Sequence, residues 1–80
     1  MQKLLLTCQE LAVWLTNEIR KIEDCENCTV SGIVPLQEPD HDGCNWSSDI
    51  VVNAGGVHFE HFRYQLERII KEGRSRFNVK

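Results

Sequence analysis

Apolar residues recur at helical spacing at both ends of the chain, and short aliphatic runs lie between them. Leu4, Cys8, Leu11, Leu15, Ile19 and Ile22 fall on one stripe, flanked by Leu5, Ala12 and Trp14, while Gln9, Glu10, Asn17, Arg20 and Lys21 take the other faces. This spacing predicts an amphipathic helix over about residues 3–23. Thr7 and Glu10 also match a capping box with Leu6 and Leu11 as its staple, which would start the helix near Cys8 and leave residues 2–6 as a short strand or frayed turn. The polar run Asp24–Asn27 ends it.

From Thr29 to Gln37, the residues Val30, Ile33, Val34 and Leu36 read as a strand interrupted by Gly32 and Pro35. Proline has no N–H for a ladder, so the strand belongs at a sheet edge or bulges there. Residues 38–45 are dense in turn formers, and Trp46–Asn53, with Ile50, Val51 and Val52, reads as the second strand of a hairpin. After the breaker Asn53-Ala-Gly-Gly56, the stripe Phe59, Phe62, Leu66, Ile69 and Ile70 predicts a second helix capped at Gly73, with residues 74–80 as a loosely packed tail. The expectation is one α+β domain of order α-β-β-α, its two helices packed on one face of a short antiparallel hairpin. Its predicted core is Leu11, Leu15, Ile19, Ile33, Ile50, Val52, Phe59, Phe62, Leu66 and Ile69. The open edge of so small a sheet offers a surface for a homodimer or a protein partner.

Eighty residues, 41% hydrophobic and 26% charged, suffice for one modest core. Chains this short often need a staple such as a metal or a partner. Cys25-x2-Cys28, then twelve residues, then His41-x2-Cys44 has the spacing of a tetrahedral zinc site. The strand reading opposes it. Nine extended residues at about 3.3 Å each carry the chain nearly 30 Å from Cys28, and put His41 and Cys44 at the far end of a simple hairpin. Without metal, Cys8 and Cys44 are small buried apolar residues and Cys25 and Cys28 surface thiols. A redox role for Cys25 and Cys28 is disfavoured, because the pair follows a helix C-terminus, where the dipole raises a thiol pKa.

The acidic loop brings in further chemistry. Glu38, Asp40, Asp42, Gly43 and Asp49 match part of a calcium-loop pattern, but Asn45 replaces its apolar residue and strands flank it, so an acidic turn is the plainer reading. His58 and His61 share a face of the second helix at i, i+3 spacing, a geometry for metal binding or acid–base work, with no nucleophile paired to them. Charge is uneven. Residues 1–60 carry ten acids and three bases, whereas residues 61–80 carry six bases and two acids. A basic end with Arg74, Arg76, Phe77 and Lys80 resembles a single-strand nucleic-acid contact, yet cations near a helix C-terminus also suit its dipole, and the acidic remainder repels phosphate. With no export signal and no apolar run of bilayer length, a cytoplasmic protein without membrane association is expected.

The run Glu38-Pro-Asp-His-Asp-Gly-Cys-Asn-Trp-Ser47, followed by an apolar strand and a helix ending in Arg-Ser-Arg-Phe-Asn-Val79, resembles short uncharacterised bacterial proteins of prophage type over about residues 30–79. The resemblance rests on Cys44 and Trp46 rather than on Cys25 and Cys28. It implies a small cytoplasmic protein with no assigned reaction, and it carries over no catalytic residue.

The leading expectation is a non-enzymatic protein-binding module of prophage type, without a cofactor, in which Asp40, Asp42, Asn45 and Trp46 form the exposed contact surface; a Trp46 packed beneath the hairpin is a reading of at least equal weight. The alternative is a zinc-stabilised domain (Cys25, Cys28, His41, Cys44) that contacts nucleic acid through its basic C-terminal segment.

Overall fold

The computed structural model describes residues 3–80. Six elements follow one another: β1 (Leu4–Leu6), α1 (Cys8–Ile19), β2 (Thr29–Gly32), β3 (Val51–Asn53), α2 (Phe59–Arg76) and β4 (Phe77–Val79). The molecule is therefore α+β, as expected, but the order is β-α-β-β-α-β, with a strand added at each end.

The start of α1 is set by its cap. The Thr7 side chain accepts from the Glu10 N–H at 3.0 Å, and the Glu10 carboxylate accepts from the Thr7 N–H at 2.8 Å. The cap satisfies two otherwise orphaned donors and frees the preceding leucines to be a strand. At the other end the helix closes at Ile19, four residues short of the expected limit. Successive tight turns then lead to Asp24, which takes a positive φ of 70°.

Strands β2 and β3 form the expected antiparallel hairpin, with Thr29 opposite Asn53, Val30 opposite Val52 and a bulge between Val30 and Gly32. Beyond the bulge the two arms meet again at Pro35 and Trp46. The flanking bonds run from Leu36 N–H to Asn45 C=O and from Ser47 N–H to Val34 C=O, both at 2.8 Å. Pro35 thus occupies a pair in which no ladder bond needs its missing N–H.

Residues 74–80 are not a loose tail. Helix α2 continues through Gly73 to Arg76, and Phe77–Val79 pairs in parallel with Leu4–Leu6, Leu4 opposite Phe77 and Leu6 opposite Val79. The Lys80 N–H extends this pairing to Leu6 C=O at 2.8 Å. Gly73 is a packing residue rather than a cap. A Cβ built on it lies 3.1 Å from Trp14 Cζ3 and 3.5 Å from Trp46 Cη2, so the helix backbone rides directly on two indoles. Glycine inside a helix costs roughly 0.5–1 kcal/mol relative to alanine, and close approach of large aromatic rings offsets that cost here.

Helix α1 is the centre of the fold, packing on β2, α2, β1 and β4. The two helices do not both cover the hairpin. Helix α2 packs on α1 and β4 and stands apart from the segment leading into β3. The core includes the predicted Leu11, Leu15, Ile19, Phe62 and Leu66, and adds Trp46, Val30, Phe77, Val79 and the three cysteines Cys25, Cys28 and Cys44. Ile33, Ile50, Val52 and Ile69 are only partly buried against it, and Phe59 is 49% exposed. Among the described residues no helix is long and apolar enough to cross a membrane.

Replacing Gly73 by valine is expected to force its branched side chain into the rings of Trp14 and Trp46. The cost should be about 1–3 kcal/mol of stability, read as a lower urea midpoint with unchanged slope; a midpoint equal to wild type would refute the close-packing role of this glycine.

Candidate functional site

The Asp40–Trp46 loop binds the C-terminal elements through side chains placed by the hairpin turn. Asp40 Oδ1 accepts from the N–H groups of Asp42 (2.9 Å) and Cys44 (3.1 Å). Gly43, at φ 76°, returns the chain so that Asp40 N–H reaches Cys44 C=O at 2.9 Å. Asp40 Oδ2 receives the Arg74 guanidinium, whose other nitrogen donates to Trp46 C=O. Burial pushes the Asp40 carboxyl up, but the two backbone N–H donors and Arg74 outweigh it and hold the group below the ordinary 3.8.

Asn45 behaves as one more strand beside β4. Its Nδ2 donates to Val79 C=O and its Oδ1 accepts from Val79 N–H, both at 2.8 Å. Asn78 returns the favour, accepting from Asn45 N–H at 3.2 Å and donating to Gly43 C=O at 3.0 Å. Trp46 is fully buried, and its indole N–H donates to Phe77 C=O at 3.0 Å.

Trp46 is therefore not an exposed anchor. Asn45 is partly buried and committed to β4, and Asp40 is committed to its own turn and to Arg74. Of the four expected contact residues, Asp42 alone presents an exposed side chain. The basic C-terminal segment is also engaged internally. Arg74 serves the loop, and Arg76 lies 5.6 Å over Trp14 and 5.1 Å over Phe77, with an ion pair to Glu72 at 3.2 Å.

The candidate zinc quartet is not gathered. Cys25 and Cys28 are buried at the open end of the hairpin, where Cys28 Sγ donates to Ala54 C=O at 3.3 Å. Cys44 is buried at the closed end, with its Sγ donating to Trp46 C=O at 3.6 Å, and His41 is exposed beside Asp42 at 3.5 Å. The intervening strand separates the two pairs. Burial pushes the Cys25 thiol up to about 11, and the Cys28 thiol, Glu26 and Asp24 add to this. A group so raised is protonated at neutral pH and is a poor nucleophile. Among the described residues, Asp40, His41 and Asp42 form the group of three potential donors within 4.8 Å of one another. Asp40 already spends both oxygens on the turn and Arg74.

A concave surface lies elsewhere, as a groove of about 990 Å³ between α2 and residues 48–52. Phe59, Leu66 and Ile70 line one wall, Ile50 and Val52 the other, and Lys3 and Asp42 meet at one end through a 3.2 Å bond from Lys3 Nζ to Asp42 C=O. Charges of both signs rim it, with Lys71 and Arg74 beside Glu67 and Asp49. The sequence carried a trace of this groove in the apolar spacing of Phe59, Leu66 and Ile70. That spacing reads equally as core, and the separation of α2 from the hairpin arm is a tertiary property. No protein-family model matches the chain, and neither does any curated protein or solved structure.

Because the folded-state value of Asp40 is depressed, its contribution to stability is present above the unfolded value and is lost as pH falls through the folded one. Thermal melts between about pH 6 and pH 2 should therefore show a steeper acid loss for wild type than for Asp40→Asn. Parallel curves would show that the carboxylate contributes no acid-labile stability.

Proposed function

We propose that the protein is a non-enzymatic protein-binding module whose contact surface is the groove between α2 and residues 48–52. The observation that carries this reading is its lining: aliphatic and aromatic side chains on facing walls, with charges of both signs around them. Such a surface suits an extended or helical peptide segment, because apolar anchors gain from desolvation while rim charges set register and orientation. A half-exposed phenylalanine at the mouth of a concavity is also the kind of residue that anchors interfaces.

This reading moves the contact surface away from the Asp40–Trp46 loop. Asp42 remains part of it at the groove's end, whereas Trp46 and Asn45 support it from behind by fixing β4 and, through Gly73 and Arg74, the C-terminal half of α2.

Phe59→Ala removes an exposed wall residue, and Tyr64→Ala removes an exposed ring, 68% accessible, that does not line the groove. Affinity capture from the source organism, quantified by mass spectrometry, should show at least one partner whose recovery falls about tenfold with Phe59→Ala and is unchanged with Tyr64→Ala, both variants melting as wild type. Equal recovery of every partner by wild type and Phe59→Ala would remove the groove as the binding surface.

A further inference from the structure

We propose that the groove takes its partner as an added β-strand, an extended peptide segment that pairs with the open edge of β3; this rests on the groove being the contact surface. The hairpin backbone decides the binding mode. Along an antiparallel ladder, facing residues alternate between pairs that bond each other and pairs whose N–H and C=O point outward. Val30 faces Val52, and the Val30 N–H donates away from β3, to Thr16 Oγ1 of α1 at 2.9 Å. The pair is therefore of the outward kind, and Val52 directs its own N–H and C=O away from β2.

The two edges of the hairpin differ in what meets them. Helix α1 closes the β2 edge: Thr16 accepts from Val30, and Arg20 Nε donates to Cys28 C=O at 3.0 Å. Beside β3 lies the groove, with α2 as its far wall. Among the described residues no other segment bonds Val52 N–H or C=O. An unpaired donor and acceptor beside an apolar hollow are a template for a further strand. A helix spends its backbone groups within itself and leaves them unmet.

Side chains then set what the segment must be. Val52 lies on the hairpin face that carries the buried Val30, and with Ile50 it lines the groove opposite Phe59, Leu66 and Ile70. A strand added at the Val52 edge puts every second side chain on that face, between the two walls, so those positions are apolar. The intervening positions stand on the other face beside Val51, which is 55% exposed, and suit β-branched residues.

Charge narrows the choice further. Asp49 and Glu67 stand on opposite walls, and among the described residues neither has an ion-pair partner, whereas Arg74 is taken by Asp40. A lysine or arginine of the segment seated between them meets two carboxylates. Lys71, one turn along α2 from Glu67, matches an acidic neighbour of that residue. The occupant is thus an unfolded peptide segment of alternating apolar residues that carries a basic side chain.

The test is selection of a displayed library of random dodecapeptides on the full-length chain. Enriched sequences should carry apolar residues at every second position together with a lysine or arginine. A synthetic peptide of the most enriched sequence should bind Phe59→Ala and Asp49→Lys at least about tenfold more weakly than wild type, both variants keeping the wild-type circular dichroism. N-methylation of one alternate set of its amides, and not of the other, should abolish binding, because a strand pairs through one edge. Its addition should slow exchange of the Val52 amide at least about tenfold. Peptides that depend on Phe59 but repeat apolar residues every three or four positions, or that tolerate N-methylation of both sets, would overturn strand addition and leave the groove as the contact surface. Unchanged affinity for Asp49→Lys would overturn the basic residue. No enrichment, or equal binding to Phe59→Ala, would overturn both the added strand and the groove.

Discussion

The buried indole of Trp46 holds the C-terminal segment to the middle of the chain. Its ring fills the space that Gly73 leaves open in α2, its N–H bonds Phe77 C=O in β4, and its carbonyl accepts from Arg74. An 80-residue domain buries a limited apolar area and cannot spare a surface this large. The indole also brings a polar handle, which is satisfied only where the backbone of β4 passes. With Trp46 in place, Asn45 and Asp40 fall into register beside Val79 and Arg74, and the acidic loop becomes a clasp on the C-terminal segment.

The clasp explains how strands as short as β1 and β4 persist. A two-stranded parallel pair of three residues each has little stability of its own. Here β4 lies between β1 on one side and the side chains of Asn45 and Trp46 on the other, so its backbone groups find partners on both edges. The same arrangement positions α2. Gly73 and Arg74 attach its C-terminal half to the loop, and Phe62 and Leu66 attach its middle to the core, while Phe59 and Ile70 line the groove toward residues 48–52. The groove is a consequence of helix placement, which makes the loop a support for the proposed binding surface rather than the surface itself.

Local signals in the sequence accounted for the elements that local physics determines. The Thr7–Glu10 capping box marked the start of α1 more accurately than hydrophobic periodicity, which ran through Leu4 and Leu5 because three leucines fit a helix as readily as a strand. The hairpin followed from Val30, Val51 and Val52 and from the turn formers between them. What escaped were contacts between distant residues. Leu4–Leu6 and Phe77–Val79 pair across nearly the whole chain, and nothing in either triplet specifies a parallel partner. Gly73 reads as a stop because glycine usually ends helices, and only the two indoles explain why it continues one. Asp40, Asn45 and Trp46 stood out as a distinctive cluster for good reason, yet polarity suggested exposure, whereas each finds its hydrogen bonds within the fold. The cysteine turn was paired with the nearer histidine and cysteine in the sequence, but the hairpin carries His41 and Cys44 to its closed end, away from Cys25 and Cys28.

Native-state hydrogen exchange at the Val79 amide, compared between wild type and Asn45→Ala, tests the clasp most directly. In wild type this amide, one residue before the last described residue, is expected to exchange at a rate close to that of the core amides of α1, and in Asn45→Ala to exchange at least about tenfold faster while the α1 amides change far less. Val79 exchange in wild type as rapid as in a frayed terminus, or unaltered by the substitution, would contradict the view that the loop holds the C-terminal strand.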